Sequence, residues 1–106
     1  MKIEHLRKRI KHGKYLVKSH AVQHALKEGF ERRQMVEAVL NGEIIEVYPQ
    51  VKRALICSQV MFPEGKEFYL HVVCEYASPV YVEIITAYIP DRSLWEEPPI
   101  WRKTIR

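Results

Sequence analysis

Residues 35–48 read MVEAVLNGEIIEVY, and this stretch decides the fold. Its first half carries Met35, Val36, Val39 and Leu40 at spacings of three and four, the apolar stripe of a helix that packs on one side. Asn41-Gly42 interrupts that stripe. Beyond Gly42 the period shortens to two and the composition turns β-branched and aromatic, the signature of strands. One switch from helical to extended periodicity implies an α+β domain, with helices in the N-terminal part and a sheet behind them.

Downstream of the switch, Glu43 to Tyr48 reads as one strand and Arg53 to Phe62 as a second, with Pro49-Gln50 turning between them. Pro63-Glu64-Gly65-Lys66 has the residues of a hairpin turn, Glu67 to Tyr76 returns as a third strand, and Val80 to Ile89 follows the reversal at Ala77-Ser78-Pro79. Four sequentially adjacent strands with short links predict an antiparallel meander, because parallel neighbours need long crossovers. In the third strand Phe68, Leu70, Val72, Cys74 and Tyr76 share the more apolar face and should meet the helices. Tyr69, His71, Val73 and Glu75 then point the other way. Tight closure around Gly65 would oppose Ser58 to His71, and a slip of one residue would oppose Cys57 or Gln59 instead.

Upstream, Ile3, Leu6 and Ile10 mark a short amphipathic helix closed by His12-Gly13-Lys14, and Tyr15 to Lys18 is a brief extended stretch. Ser19 stands where a helix cap is expected, ahead of a helix over His20 to Glu28 that Gly29 terminates. A third helix runs from about Glu31 to Leu40, with Phe30 plugging the corner between the two. The expectation is a single domain over residues 1–106: a basic amphipathic helix in 1–14, a core in 15–95 and a C-terminal tail in 96–106, the helices packing on a four-stranded antiparallel sheet. Trp95 should fold back on the core. Trp101, followed by Arg102, Lys103 and Arg106, could meet a partner or a stacked base, or belong to a loose tail.

A chain of 106 residues supports one modest core. No apolar run of about 18 residues is present, which excludes a membrane helix, and the basic start lacks the apolar stretch of a secretion signal; a cytoplasmic protein is the expectation. Cys57 and Cys74 lie in apolar strands without metal-ligand spacing and read as reduced core residues. The net charge of +4 is uneven: residues 1–18 hold seven Lys or Arg against Glu4 alone, whereas residues 43–91 hold three basic and seven acidic side chains. That N-terminal segment is either a solubilising helix or a surface for a phosphate backbone or an acidic protein.

Histidine is the residue that both accepts and donates protons near neutrality. His20 and His24 share a helix face, and His71 lies inside the third strand. The three could hold one metal ion, but the pattern lacks the glutamate of HExxH and any cysteine pair, so neither metal nor cofactor is assigned. His20 could alternatively tie the helix start to the sheet. Ser58, Tyr69, His71 and Glu75 would form a polar groove suited to acid–base work, not a nucleophile elbow, since no glycine pattern surrounds Ser58.

The strings SHAVQHALKEGF (19–30), VEAVLNGEIIEVYP (36–49), LHVV (70–73) and IITAYIPDRSLW (84–95) occur in that order, and through them the chain resembles the DUF4258 family of small bacterial domains over about residues 15–95. The resemblance implies the α+β architecture of the RelE and ParE toxin superfamily, whose enzymatic members cut RNA, often on the ribosome. It also implies a small antitoxin-like protein as partner. Ser19 and His20 match the family's helix start, Asn41, Gly42 and Glu43 its helix exit, His71 its Leu-His-Val strand, and Thr86, Tyr88 and Pro90 its closing strand. The chain departs from the pattern at His24 and Glu28, where relatives carry arginine; Arg32, Arg33, Lys52 and Arg53 could compensate.

The leading functional expectation is a toxin-like, metal-independent endoribonuclease. One of His20 and His71 would act as proton acceptor and the other as donor to the leaving 5′-oxygen, Tyr69 and Glu75 would complete the catalytic set, and Lys8, Lys11, Arg32, Arg33 and Arg53 would bind RNA. Ser19, Gly29, Asn41, Gly42, Tyr88 and Trp95 would hold the frame. The alternative is a non-enzymatic module that binds a small antitoxin-like protein through Trp95, Trp101 and Pro98-Pro99; a third reading takes a substrate that is neither nucleic acid nor protein. A homodimer through an open sheet edge suits all three. The enzymatic reading turns on whether His20 and His71 meet.

Overall fold

Helix α1 (Ile3–Lys11) buries Leu6 and Ile10, one turn apart, and leaves its basic face outward. These details come from a computed structural model that describes residues 2–104; Met1, Ile105 and Arg106, the last counted above in the tail's charge, lie outside the described residues. From the same helix Arg7 donates to the Val39 carbonyl at 3.1 Å and to the Gly42 carbonyl. It thereby satisfies carbonyls that the last turn of a neighbouring helix cannot pair for itself.

Strand β1 (Tyr15–Val17) runs directly into helix α2 (Ser19–Glu28). The Lys18 amide still bonds to the sheet, at 2.9 Å from the Ile84 carbonyl, so Lys18 becomes the N-cap and Ser19 the first helical residue. The expected Ser19 hydroxyl cap is not made. Gly29 stops α2 in the left-handed region (φ 87°), where a side chain would be strained. Phe30 then plugs the corner, 3% exposed, with its ring 5.5 Å from that of Phe62. Helix α3 (Arg32–Asn41) opens on a capping box between Glu31 and Gln34. At its exit Gly42 has an ordinary φ of −89°; the reason for glycine there is space, since a Cβ would come within 2.5 Å of the Ala38 and Cys57 carbonyl oxygens.

The remaining strands are β2 (Glu43–Tyr48), β3 (Arg53–Met61), β4 (Glu67–Glu75) and β5 (Val82–Tyr88). The α+β class holds, but the sheet has five strands in the order β1-β5-β4-β3-β2, not four. It is mixed: β2 to β5 form the antiparallel meander, and β1 joins its edge parallel to β5. The rule against parallel neighbours applies to strands adjacent in sequence, whereas everything from α2 to β4 lies between β1 and β5.

Between β3 and β4 the register opposes Cys57 to His71, one residue from the expected Ser58. Phe62 bonds across to Lys66 at 2.8 Å and Gly65 takes φ 89°, so the loop has three residues, with the glycine bulge that such loops favour. Ser58 therefore opposes Leu70 and leaves the proposed groove. Leu70, Val72 and Cys74 of β4 pack with Ile56, Val60, Val82, Ile84 and Ala87 against Leu6, Ile10, Ala21, Ala25, Met35 and Val39, so the helices cover one face of the sheet.

Candidate functional site

The other face of the sheet carries Glu46 and Tyr48 from β2, Leu55 and Cys57 from β3, Tyr69, His71 and Val73 from β4, and Thr86 and Tyr88 from β5. Alternation left this face half polar, and such a surface is either solvated or covered. Here it is covered. The segment after β5 closes on itself through Glu96 N–H to the Trp101 carbonyl (2.9 Å) and Lys103 N–H to the Leu94 carbonyl (2.9 Å), and returns across the sheet.

Trp95 folds back as expected, 4% exposed, but against the face away from the helices, with its ring edge-on to His71 at 4.5 Å. His71 is 0% exposed. Its Nε2–H donates to the Pro99 carbonyl at 2.8 Å, and its Nδ1 accepts from the Tyr88 hydroxyl at 3.4 Å. Burial lowers the His71 pKa below its ordinary value, partly offset by the Pro99 bond, and pushes the Tyr88 hydroxyl up to about 12. Arg102 fastens the outside of the cover: its guanidinium stacks 4.6 Å from the Trp95 ring centroid and grips Glu46 with bonds of 2.8 and 2.9 Å. That grip holds the Glu46 carboxyl below the usual carboxylate value. His71 is thus a tie for the tail, with both ring nitrogens engaged.

His20 lies on exposed α2, whose Ala21 and Ala25 bind it to the helix-covered face. His20 and His71 are therefore on opposite sides of the sheet and are not brought together. Tyr69 lines an open groove of about 240 Å³ beside the tail, with Gln59, Trp95 and Pro99. Glu75 pairs with Arg53 at 3.1 Å.

On α2 a different set converges. His24 Nδ1 lies 3.0 Å from Glu28 Oε2, and its Nε2 lies 3.2 Å from His20 Nε2. Glu28 is itself pinned, its Oε1 accepting from the Ile89 amide at 3.0 Å at the end of β5. The carboxylate can only accept, so Nδ1 of His24 carries a proton and its Nε2 presents a lone pair; the donor across the gap is the Nε2–H of His20. Gln23 and Lys27 border the same shallow surface. The spacing of four between His20, His24 and Glu28 was the available signal.

Of the expected RNA-binding cations, Lys8 and Lys11 share a surface hollow on α1 with His12. Arg32 lies 6.0 Å over the Tyr15 ring, Arg33 is exposed, and Arg53 is engaged by Glu75 on the far face. Among the described residues no group of three or more His, Cys, Asp or Glu is arranged to hold a metal ion, and no helix is long and apolar enough to cross a membrane.

Searches of curated proteins and of solved structures returned no match. The family model described as a domain of unknown function, DUF4258, matches residues 17–89, from the end of β1 to just past β5. That span is most of the chain and takes in α2, α3 and the whole meander, so the protein belongs to the DUF4258 family.

Proposed function

We propose that the domain is a toxin-like endoribonuclease of the RelE/ParE kind, working by acid–base chemistry at His20, His24 and Glu28 and not through His71. The observation that carries this reading is the hydrogen-bonded chain from Glu28 through His24 to His20, open to solvent at its His20 end. Glu28 fixes the His24 tautomer and stabilises the imidazolium that forms when Nε2 takes a proton. A ribose 2′-hydroxyl entering between the rings would give its proton to His24 Nε2. The 2′-oxygen then attacks the adjacent phosphorus, the bond to the 5′-oxygen breaks, and that oxygen takes its proton from water. The freed His20 Nε2–H would bond to a non-bridging phosphate oxygen as charge builds there. Lys27 nearby, and Lys8 and Lys11 on α1, would attract the backbone with an affinity that falls as salt rises.

Incubation of the purified protein with ribosomes and with free RNA tests this. Products ending in 2′,3′-cyclic phosphate are expected, lost in His24→Ala, reduced in His20→Ala and Glu28→Gln, and retained by folded His71→Phe. Cleavage indifferent to His24→Ala would remove the assignment.

A second reading, a module for a small antitoxin-like protein, is favoured by the tail loop, which leaves Leu94 54% and Trp101 70% exposed. Large apolar groups exposed together mark contact surfaces. It predicts a stable complex with the product of an adjacent small gene that Trp101→Ala weakens, without RNA cleavage.

A further inference from the structure

Side chains four apart on a helix stand one above the other, and the His20 and His24 rings meet with centroids 4.7 Å apart and planes 69° apart. Their Nε2 atoms are separated by 3.2 Å. Two imidazole nitrogens bound at 2.0–2.1 Å to one ion lie about 3.4 Å apart in tetrahedral geometry and about 2.9 Å apart as neighbours in a square plane. The observed separation, set by the N–H···N bond between the rings, falls between these, so an ion can replace the shared proton with little movement of either ring.

The supporting contacts point the same way. A metal-binding histidine usually gives its other N–H to a carboxylate, which fixes the ring and raises its basicity. Glu28 accepts that N–H from His24 at 3.0 Å, and is itself fixed by the Ile89 amide from another element. The arrangement thus precedes any ion. His20 is exposed, so its proton can exchange through solvent from Nε2 to Nδ1, and a turn of the ring then aims its Nε2 lone pair at the point that the His24 lone pair faces.

We infer that His20 and His24 form a two-histidine chelate for a late first-row divalent cation, Zn²⁺, Cu²⁺ or Ni²⁺, with Glu28 as the carboxylate behind it. With no third His, Cys, Asp or Glu in reach among the described residues, the remaining positions of the ion are open and are filled by water. A pair of imidazole nitrogens suits these ions and not Mg²⁺ or Ca²⁺, which take oxygen ligands. This inference does not rest on the cleavage reading, since it needs only the distance and the anchored carboxylate; an ion bound there occupies the His24 Nε2 lone pair and would inhibit the cleavage proposed above.

Calorimetric titration of the intact protein with Zn²⁺, Cu²⁺ and Ni²⁺ tests it, with Mg²⁺ as the silent control. One equivalent should bind, strongest for Cu²⁺ as the Irving–Williams order requires, and raise Tm. His20→Ala and His24→Ala should each abolish that equivalent. Glu28→Gln should weaken it about 10- to 100-fold, the usual effect of removing a carboxylate behind a ligand. A His5→Ala/His12→Ala variant, lacking two exposed histidines of α1 and its exit, should bind unchanged. Circular dichroism checks that each variant is folded. Binding that survives His24→Ala, or that depends on His5 and His12, would overturn the inference, as would the absence of any binding.

Discussion

His71 donates its Nε2–H to the Pro99 carbonyl across 2.8 Å, joining the centre of β4 to a residue 28 positions further along the chain. Around that bond the Trp95 ring, the Tyr88 hydroxyl and the sheet exclude water, so the bond forms where a lost partner cannot be replaced by solvent. The tail is held from within by His71 and from outside by Arg102.

These two fastenings should differ in strength. His71→Ala leaves the Pro99 carbonyl unpaired and a cavity beneath Trp95, at a cost of about 3–4 kcal/mol. Arg102→Ala removes a pair whose arginine side chain is 56% exposed, together with a stacking contact; about 1 kcal/mol is expected. Urea denaturation followed by tryptophan fluorescence compares them, and early tryptic cleavage after Lys103 or Arg92 should appear only in the first. An Arg102→Ala loss equal to that of His71→Ala would reverse the ranking.

What the sequence made legible follows from periodicity. The alternation of Phe68, Leu70, Val72 and Cys74 correctly turned them to the helices and His71 away from them. The segment after Pro90 has no period, so nothing local signals that Pro99 and Arg102 return to the sheet; the polar face around His71 therefore read as an open groove. Strand β1 was visible only as an extended stretch, because its partner lies more than 60 residues away, at Val82 to Ile84. At the α2 site the spacing of His20 and His24 was plain, whereas the role of Glu28 depends on the Ile89 amide, a contact made by tertiary packing.

Gly42 and Gly29 are both helix exits, yet they should respond differently to alanine. At Gly42 the added methyl meets two backbone oxygens at 2.5 Å and the Ser58 Cβ at 2.9 Å, and the hydrogen-bonded backbone of α3 and β3 cannot move aside cheaply. A loss of about 3 kcal/mol, at the upper end for overpacking, is expected. At Gly29 nothing lies within 4 Å and only the positive φ is strained, costing about 1 kcal/mol. Thermal melts of Gly42→Ala and Gly29→Ala provide the comparison; equal shifts would mean that conformation, not space, governs Gly42.

Both cysteines should be silent in the folded protein. Burial pushes the Cys74 thiol up to about 12 and the Cys57 thiol up to about 11, so almost no thiolate is present near neutrality. They also face opposite sides of the sheet, which forbids a disulfide within the folded chain. At pH 8 a thiol-reactive dye should label neither until urea unfolds the chain, and rapid labelling of the native protein would contradict their placement.

Acid should release the tail in two steps, and the sign follows from the direction of each shift. Burial lowers His71 from its ordinary 6.5, so below that pH the unfolded chain takes up a proton that the folded chain refuses. Stability is therefore unaffected by this group above 6.5 and falls as the pH drops from there toward the folded value. Glu46 is lowered from 4.5 chiefly by its bond to Arg102; its contribution is present above 4.5 and is lost as the pH falls through the folded value. Both groups bear on the same tail, so urea midpoints should decline from pH 6.5 downward and more steeply below 4.5. His71→Phe fills the site without titrating, and it should flatten the first segment while leaving the second. A first segment that persists unchanged in His71→Phe would assign it to other groups and remove His71 as the acid-sensitive tie.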